Sequence, residues 1–384
     1  MTDPRTPDAL PAIAPGTSAM VTGATGFIGG RLVERLIEAG VAVTCLVRGD
    51  AGAALRDTGA RICRVDLADG DAVAAAVGRV TWGFHCAYDW NDADWNARAL
   101  ESLIRACREG QWQRLVHVSS FVVYDVPPAG ELTEENVASP STSGYAHTKN
   151  ELERRLLQAA RDDALPVAIV QPTIVYGPHC KPWTITPADM LRHGTVILPD
   201  RGEGVCNAVF VDDVVDAMIL AARQPQAVGQ RFLISGDPVT WSAFYGGIAG
   251  EIGAKGPTCL PSATIEAAND RTRLIVRKLT TPRLLMRMLA GRAPVQKVLD
   301  RALRLLPGAL RARARHELWA PLTQLRRYVH MPDLGLLGAL RSTTTIHSNK
   351  ARAMLGYRPR VDLASGMAAT GRYLRRVYGV GEAR

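Results

Sequence analysis

Cysteine is sparse in this sequence and forms no motif. The seven cysteines, at 45, 63, 86, 107, 180, 206 and 259, are odd in number, widely spread and nowhere arranged as Cys-x-x-Cys. That argues against a disulfide framework and against a cysteine zinc site, and it predicts a reduced, cytoplasmic setting with no metal. No apolar run reaches the roughly 18–20 residues that a membrane-spanning helix needs. The stretch Thr2 to Thr17 holds four prolines and two aspartates but no apolar run. It reads as a flexible tail over 1–17, not a secretory leader. Lysine is scarce as well, with six among 46 basic residues.

What is present is a core-forming composition. With 384 residues, 47% hydrophobic and 22% charged, the chain can bury one large domain plus a smaller lobe. Disordered, collagen-like and coiled-coil classes are excluded. The net charge of +9 raises the question of a polyanionic partner. Its distribution answers part of that question. From Arg271 to His316 there are 13 basic residues against one acid, Asp300, which leaves 33 basic and 36 acidic residues elsewhere. One segment makes the whole chain basic.

Strand-like and helix-like segments alternate through the first two-thirds, the pattern of a parallel α/β sheet. Strands are predicted at Ser18–Thr22, Val41–Val47, Arg61–Val65, Gly83–Ala87, Leu115–Ser119, Val167–Val170 and Arg231–Ser235. Most are continuous apolar runs, as expected of strands covered on both faces. Helical spacing marks Arg31–Ala39, stopped by Gly40, and Asp213–Ala222. Beyond about Gly250 the strand signal gives way to Leu/Arg-rich helical segments.

Between the first strand and first helix stands Thr22-Gly23-Ala24-Thr25-Gly26-Phe27-Ile28-Gly29. Small residues there let backbone approach a pyrophosphate at a helix N-terminus, although tight strand–helix turns also use glycine for purely structural reasons. The second strand ends in Leu46-Val47-Arg48-Gly49, with no acid before Asp50 to bind a ribose 2′-hydroxyl. An arginine at that place suits a 2′-phosphate and so favours NADP over NAD; the alternative is an ordinary surface arginine. Tyr145 and Lys149 stand four apart on one helical face, where the ammonium would favour the phenolate of a proton-transferring tyrosine. Only roughly 0.14 chance matches to Tyr-x-x-x-Lys are expected with so few lysines. Ser120, after the fifth strand, offers a hydroxyl to hold a substrate oxygen or to cap the strand end.

These residues make the chain resemble the extended short-chain dehydrogenase/reductase superfamily, the NAD(P)-dependent epimerase/dehydratase and 3β-hydroxysteroid-dehydrogenase-like enzymes. The likeness covers about Met20–Gly250 and resumes at Ser348–Tyr373. It rests on TGATGFIGG, Val65-Asp66-Leu67, Phe84-His85-Cys86-Ala87, the Ser120/Tyr145/Lys149 set, Gln171–Pro178, Val209–Val214 and Leu355–Pro359. It implies a Rossmann doubly wound parallel sheet with a smaller, mostly helical C-terminal substrate lobe. The Rossmann part would take 18–177 and part of 205–236. The lobe would take 178–204 and 237–384, including a basic insert over 251–345.

The resemblance implies that Tyr145 is the general acid/base, that Lys149 binds the nicotinamide ribose and tunes Tyr145, and that Ser120 polarises the reacting oxygen. Gly23, Thr25, Gly26, Phe27, Ile28, Gly29 and Arg48 would bind the dinucleotide. Asp66 and Leu67 would meet adenine, Ala87 would lie beside the pyrophosphate and ribose, and Pro172 and Thr173 would flank the nicotinamide. Tyr88, Phe121, Ile174, His179 and Trp183 are the expected substrate-pocket residues. Trp90 and Trp95 sit on loops that border such a site, where they line a cleft or pack under the loops.

Departures from the pattern bear on the reaction. Sugar dehydratases of this kind carry Asp-Glu where this chain has Phe121 and Val122, so the acid and base for elimination are missing. Nucleotide-sugar enzymes often carry Arg and Asn where Gln171 and Ile174 stand. The expected function is therefore NADP-linked interconversion of a secondary alcohol and a ketone on a mostly apolar small molecule. A nucleotide-sugar epimerase with bound NAD(P) is the alternative within the class. A non-catalytic nucleotide-binding relative is the alternative outside it. The basic amphipathic segment 271–316 reads as a solvated helical face or a peripheral membrane contact, with nucleic acid disfavoured for want of aromatic platforms. A homodimer is expected by analogy with the fold.

Overall fold

The computed structural model describes residues 13–49, 55, 56, 58–269 and 329–379. Seven strands form its main sheet: β1 (Ser18–Thr22), β2 (Ala42–Val47), β3 (Arg61–Arg64), β4 (Trp82–His85), β5 (Arg114–Val118), β6 (Val167–Pro172) and β7 (Gln230–Ile234). Their order is β7-β6-β5-β4-β1-β2-β3, and every neighbouring pair is parallel. This is the expected doubly wound sheet. The chain starts in the middle, at β1, and its order reverses between β1 and β4. In such sheets the crevice beyond the strand ends at that reversal is where ligands bind.

The apolar runs explain why these segments pair. Ala19, Met20 and Val21 of β1, and every residue of β6, are buried, as parallel strands covered on both faces must be. Helices α1 (Phe27–Glu38), α2 (Gly70–Val77), α3 (Ala93–Glu109), α4 (Gly144–Asp162) and α5 (Val211–Arg223) supply the cover. Leu100 and Leu103 of α3 meet Leu152 and Leu156 of α4 in one cluster with Leu115 and Ile169 of the sheet. Burial of each such leucine contributes about 1.5–3 kcal/mol. Helix α1 turns Leu32, Val33 and Leu36 inward and is tied to α5 by ion pairs. Arg31 Nε lies 2.7 Å from Asp212 Oδ1, and Arg35 Nη2 lies 2.9 Å from Asp216 Oδ1.

Two strands begin one residue before the expected places and stop short of Ala87 and Ser119. His85 and His117, polar residues at their ends, are fully enclosed, with ring centroids 5.0 Å apart. Ser119 still donates its N–H to Val170 O at 2.8 Å. The backbone beyond His85 bends instead over the glycine turn.

Two units cluster separately. The first draws on Met1–Thr184, Cys206–Val239 and Thr343–Tyr373, and it contains the main sheet. Its late segment is pinned by the buried Asp213, which accepts from the N–H groups of Arg360 (2.8 Å) and Val361 (3.3 Å). The second unit draws on Ile185–Val205, Thr240–Ser342 and Leu374–Arg384. Helices Thr186–His193, Trp241–Glu251 and Leu334–Arg341 accompany a three-stranded parallel sheet. There Thr195–Pro199 runs between Thr258–Leu260 and Val329–His330, with Ile197, Ile265 and Leu337 as the core. The strands at 258–260 and 329–330 lie where the strand signal was expected to have faded; three and two residues are too few to show a period. The tail over 1–12 and the basic segment 271–316 lie outside the described residues. Among the described residues no helix is long and apolar enough to cross a membrane.

Candidate active site

The turn after β1 is built for close backbone approach. Gly23 has φ +66°, and a Cβ there would stand 2.7 Å from Ala87 N and 2.7 Å from Cys86 C, backbone atoms that cannot yield. A Cβ on Gly29 would meet Gly23 O at 2.3 Å. Gly26 caps α1, whose first turn holds no acid, so its unpaired N–H groups face a space favourable to an anion. Thr22 braces the turn: Ala87 N–H donates to its Oγ1 at 3.2 Å, and that oxygen lies 2.9 Å from His85 Nδ1. Burial, with Lys149 adding repulsion, lowers His85 to about 3, so the ring is neutral. A cradle that only glycine can form, at a helix N-terminus free of acids, fits a dinucleotide pyrophosphate.

At the ends of β2, β3 and β4 a second group assembles. The Arg48 guanidinium lies 5.5 Å over the Trp95 ring, and its Nη1 is 3.2 Å from Asp89 Oδ2. Trp95 donates its indole N–H to Asp66 Oδ1 at 2.7 Å, and Ala68 N–H donates to the same oxygen at 3.0 Å. The Ala68 bond first, then the indole, holds the Asp66 carboxyl below the usual range. Leu67 beside it is buried. Trp95, expected as cleft lining or packing, is partly buried against the core at the start of α3 and joins Arg48 to Asp66.

Ser120, Tyr145 and Lys149 come together at the ends of β4 and β5. Lys149, on the buried face of α4, donates from Nζ to Val118 O at 2.7 Å. That bond fixes α4 on the strand end that carries Ser120. The ammonium lies 4.9 Å from the Tyr88 ring centroid and 5.9 Å from that of Tyr145. Burial pushes the Tyr145 phenol up to about 12, against a hydrogen bond with Ser120 that lowers it. Burial outweighs the other influences on the phenol, and the Lys149 ammonium is engaged with Val118 O. The Tyr145 phenol therefore keeps its proton at neutral pH. Trp90 stacks on it at 4.8 Å and 26°, with Tyr88 edge-on at 5.0 Å; Trp90 itself is 73% exposed.

The family model for the NAD dependent epimerase/dehydratase family matches residues 19–235, more than half of the chain. The chain belongs to that family. It is 30% identical over 265 residues to 2-alkyl-3-oxoalkanoate reductase of Shewanella oneidensis, covering 62% of this chain and 67% of that one. It is 31% identical over 260 residues to UDP-glucose 4-epimerase of Mycolicibacterium smegmatis, covering 61% and 82%. The solved UDP-glucose 4-epimerase of Thermotoga maritima shares the fold, with a TM-score of 0.66 at 20% identity over 94% of this chain and 100% of that one. The protein is thus an NAD(P)-dependent enzyme of the extended short-chain dehydrogenase/reductase type, acting on a small molecule.

The remaining expected residues of this epimerase/dehydratase-family enzyme are distributed as follows. Pro172 ends β6, and Thr173 donates its backbone N–H to Ile234 O at 3.0 Å. Ile174 is buried in the short strand Ile174–Tyr176, paired with Ala208–Phe210. Phe121 packs on the cluster of Val123, Tyr124, Leu132, Leu233 and Ile346. His179, at φ +69°, sets its ring 4.5 Å from Tyr373, and Trp183 lies half-buried in the turn Lys181–Ile185. Of the expected pocket residues, Tyr88 is the one in ring contact with Tyr145. Sequence reasoning passed over Asp89, which holds Arg48, and Glu153, one turn beyond Lys149. A carboxylate spaced i,i+4 from the lysine was the available signal for Glu153.

Proposed function

We propose that this enzyme interconverts a ketone and a secondary alcohol on a mostly apolar small molecule, with NADP as its preferred cofactor. The observation that carries the reading is the Ser120–Tyr145–Lys149 constellation, with Ser120 and Lys149 buried and Tyr145 partly so, beside the glycine cradle. Gly23, Thr25, Gly26, Phe27, Ile28 and Gly29 would hold the pyrophosphate, Asp66, Leu67 and Ala87 the adenosine side, and Arg48 the 2′-phosphate. Pro172 and Thr173 would border the nicotinamide. When bound, the cofactor supplies or receives the hydride.

The chain's own residues handle the proton. The Ser120 hydroxyl holds the substrate oxygen. Tyr145, protonated at neutral pH, donates to that oxygen as it gains negative charge, and accepts the proton back in oxidation. Lys149, held on Val118 O, stabilises the phenolate left behind. The apolar substrate class is supported by Phe121, Val122 and Ile174 where related sugar enzymes carry polar residues. A relative that reduces 2-alkyl-3-oxoalkanoates supports it too. The test is NADPH oxidation across 2-alkyl-3-oxoalkanoates, aliphatic ketones and steroids, with Tyr145→Phe as control. Turnover retained by that variant would remove Tyr145 from the mechanism.

The 31% identity to a UDP-glucose 4-epimerase keeps one second reading in view. Conversion of UDP-galactose to UDP-glucose with no net change in NADPH would establish it.

A further inference from the structure

Glu153 lies one helical turn beyond Lys149 on the same buried face of α4, and its side chain is 3% exposed. A carboxylate in such a place needs donors. Gln171 supplies them: its side-chain N–H₂ donates to Oε1 at 2.9 Å and to Oε2 at 3.0 Å. The amide is held in that orientation from its other end, because Tyr124 donates its hydroxyl proton to Gln171 Oε1 at 2.9 Å. With both carboxylate oxygens accepting from one amide, a proton on Glu153 would face a donor. Burial pushes the Glu153 carboxyl above its ordinary range, and the amide bonds, with Arg231 and Lys149, oppose that rise in favour of the ionised form. Arg231 Nη1 stands 3.9 Å from Glu153 Oε2, and that guanidinium also donates to Glu134 O and lies over the Tyr124 ring. A neutral amide thus partners a buried anion whose neighbour along the helix is the site's lysine.

We infer that Glu153 is a positioning residue: its ionised carboxylate, locked by Gln171 and Tyr124, keeps the enclosed Lys149 charged. Among the described residues, the other groups that face the ammonium are neutral. From α4 there is Tyr145; from the end of β4, His85, Cys86 and Tyr88; from β5, His117 and the Val118 carbonyl. Burial lowers Lys149 to about 8, and Glu153 is the chief influence opposing that fall. An opposite charge one helical turn away, in a medium of effective dielectric near 20, shifts a titration by about one to two pH units. Without Glu153 the lysine would lose its proton below neutral pH, and the phenolate of Tyr145 would lose its counter-charge.

The inference deepens the proposed function, since the charge of Lys149 serves catalysis only if Tyr145 is the acid/base. The test therefore reads the lysine apart from turnover. With 13C at Cε of the six lysines, the full-length protein is titrated by NMR, Lys149 being assigned by the signal lost in Lys149→Met. The wild-type resonance is expected to titrate near pH 8, and that of Glu153→Gln about one to two units lower. Glu153→Asp should fall between them. If Glu153→Gln does not fold, Gln171→Leu decides: it keeps the carboxylate but strips its donors, and it should also lower the Lys149 midpoint. The alkaline limb of NADPH oxidation should move with the NMR midpoint. An unmoved or raised Lys149 midpoint in a folded variant would overturn the assignment, whatever the reaction proves to be.

Discussion

Replacing Arg48 with alanine removes the one guanidinium at the end of β2, and the cost should fall on NADP alone. That side chain is 68% exposed, rests on Trp95 and pairs with Asp89 at 3.2 Å. An exposed pair of this kind holds weakly, within about 1 kcal/mol, so a 2′-phosphate carrying roughly two charges displaces Asp89 readily. A charge-assisted bond to phosphate contributes about 1.5–3 kcal/mol, and solvent screening places this one near the lower end. Arg48→Ala should therefore weaken NADP about 10- to 30-fold and NAD less than about twofold. Asp89→Asn should act in the opposite direction, tightening NADP about two- to threefold, because the internal competitor loses its charge. Calorimetry with both nucleotides at fixed ionic strength measures these changes, and the NADP preference should shrink as salt rises. Equal losses for NADP and NAD in Arg48→Ala, or weaker NADP binding in Asp89→Asn, would refute the 2′-phosphate assignment.

Gly23→Ala puts a Cβ 2.7 Å from the backbone of Ala87 and Cys86 at a positive φ. It should abolish nucleotide binding in calorimetry and lower the melting temperature by several degrees. Burial pushes the Asp213 carboxyl up from 3.8 to about 6. The folded chain then holds a proton that the unfolded chain has lost, so this group's contribution to stability is full below about pH 4 and falls as pH rises to 6. Asp213→Asn, which keeps an acceptor for Arg360 N–H, should flatten melting temperature against pH across that window; an unchanged slope would count against it. Trp90→Ala strips the ring stacked on Tyr145 and should move the phenol back toward its ordinary value. An ultraviolet difference titration against Tyr145→Phe would detect the change, and a phenol that does not move would show that Trp90 contributes nothing to the burial.

The main sheet was legible because its strands are buried on both faces and leave unbroken apolar runs, as Val167–Val170 does inside β6. The start of α1 was legible because Gly23 and Gly29 answer a steric demand that no other residue meets. The end of β4 was read two residues late and that of β5 one, since Cys86, Ala87 and Ser119 continue the run of small or apolar residues after the pairing stops. The small strands at 258–260 and 329–330 carry no period at all. Within the site, Tyr145 and Lys149 announce each other across one helical turn. Arg48 and Asp89 are 41 residues apart and Trp90 and Tyr145 are 55 apart, so only the folded chain joins them. Glu153 was passed over because its meaning depends on Gln171 and Tyr124, which reach it from other elements.

The most direct test of the central claim is isotope transfer from the cofactor. Incubating the enzyme with a 2-alkyl-3-oxoalkanoate and NADPH deuterated at C4 should give an alcohol with deuterium on the carbinol carbon. One NADPH should be consumed per alcohol formed, and none by Tyr145→Phe. Absence of deuterium from every ketone tested, together with conversion of UDP-galactose to UDP-glucose without net NADPH consumption, would contradict the account.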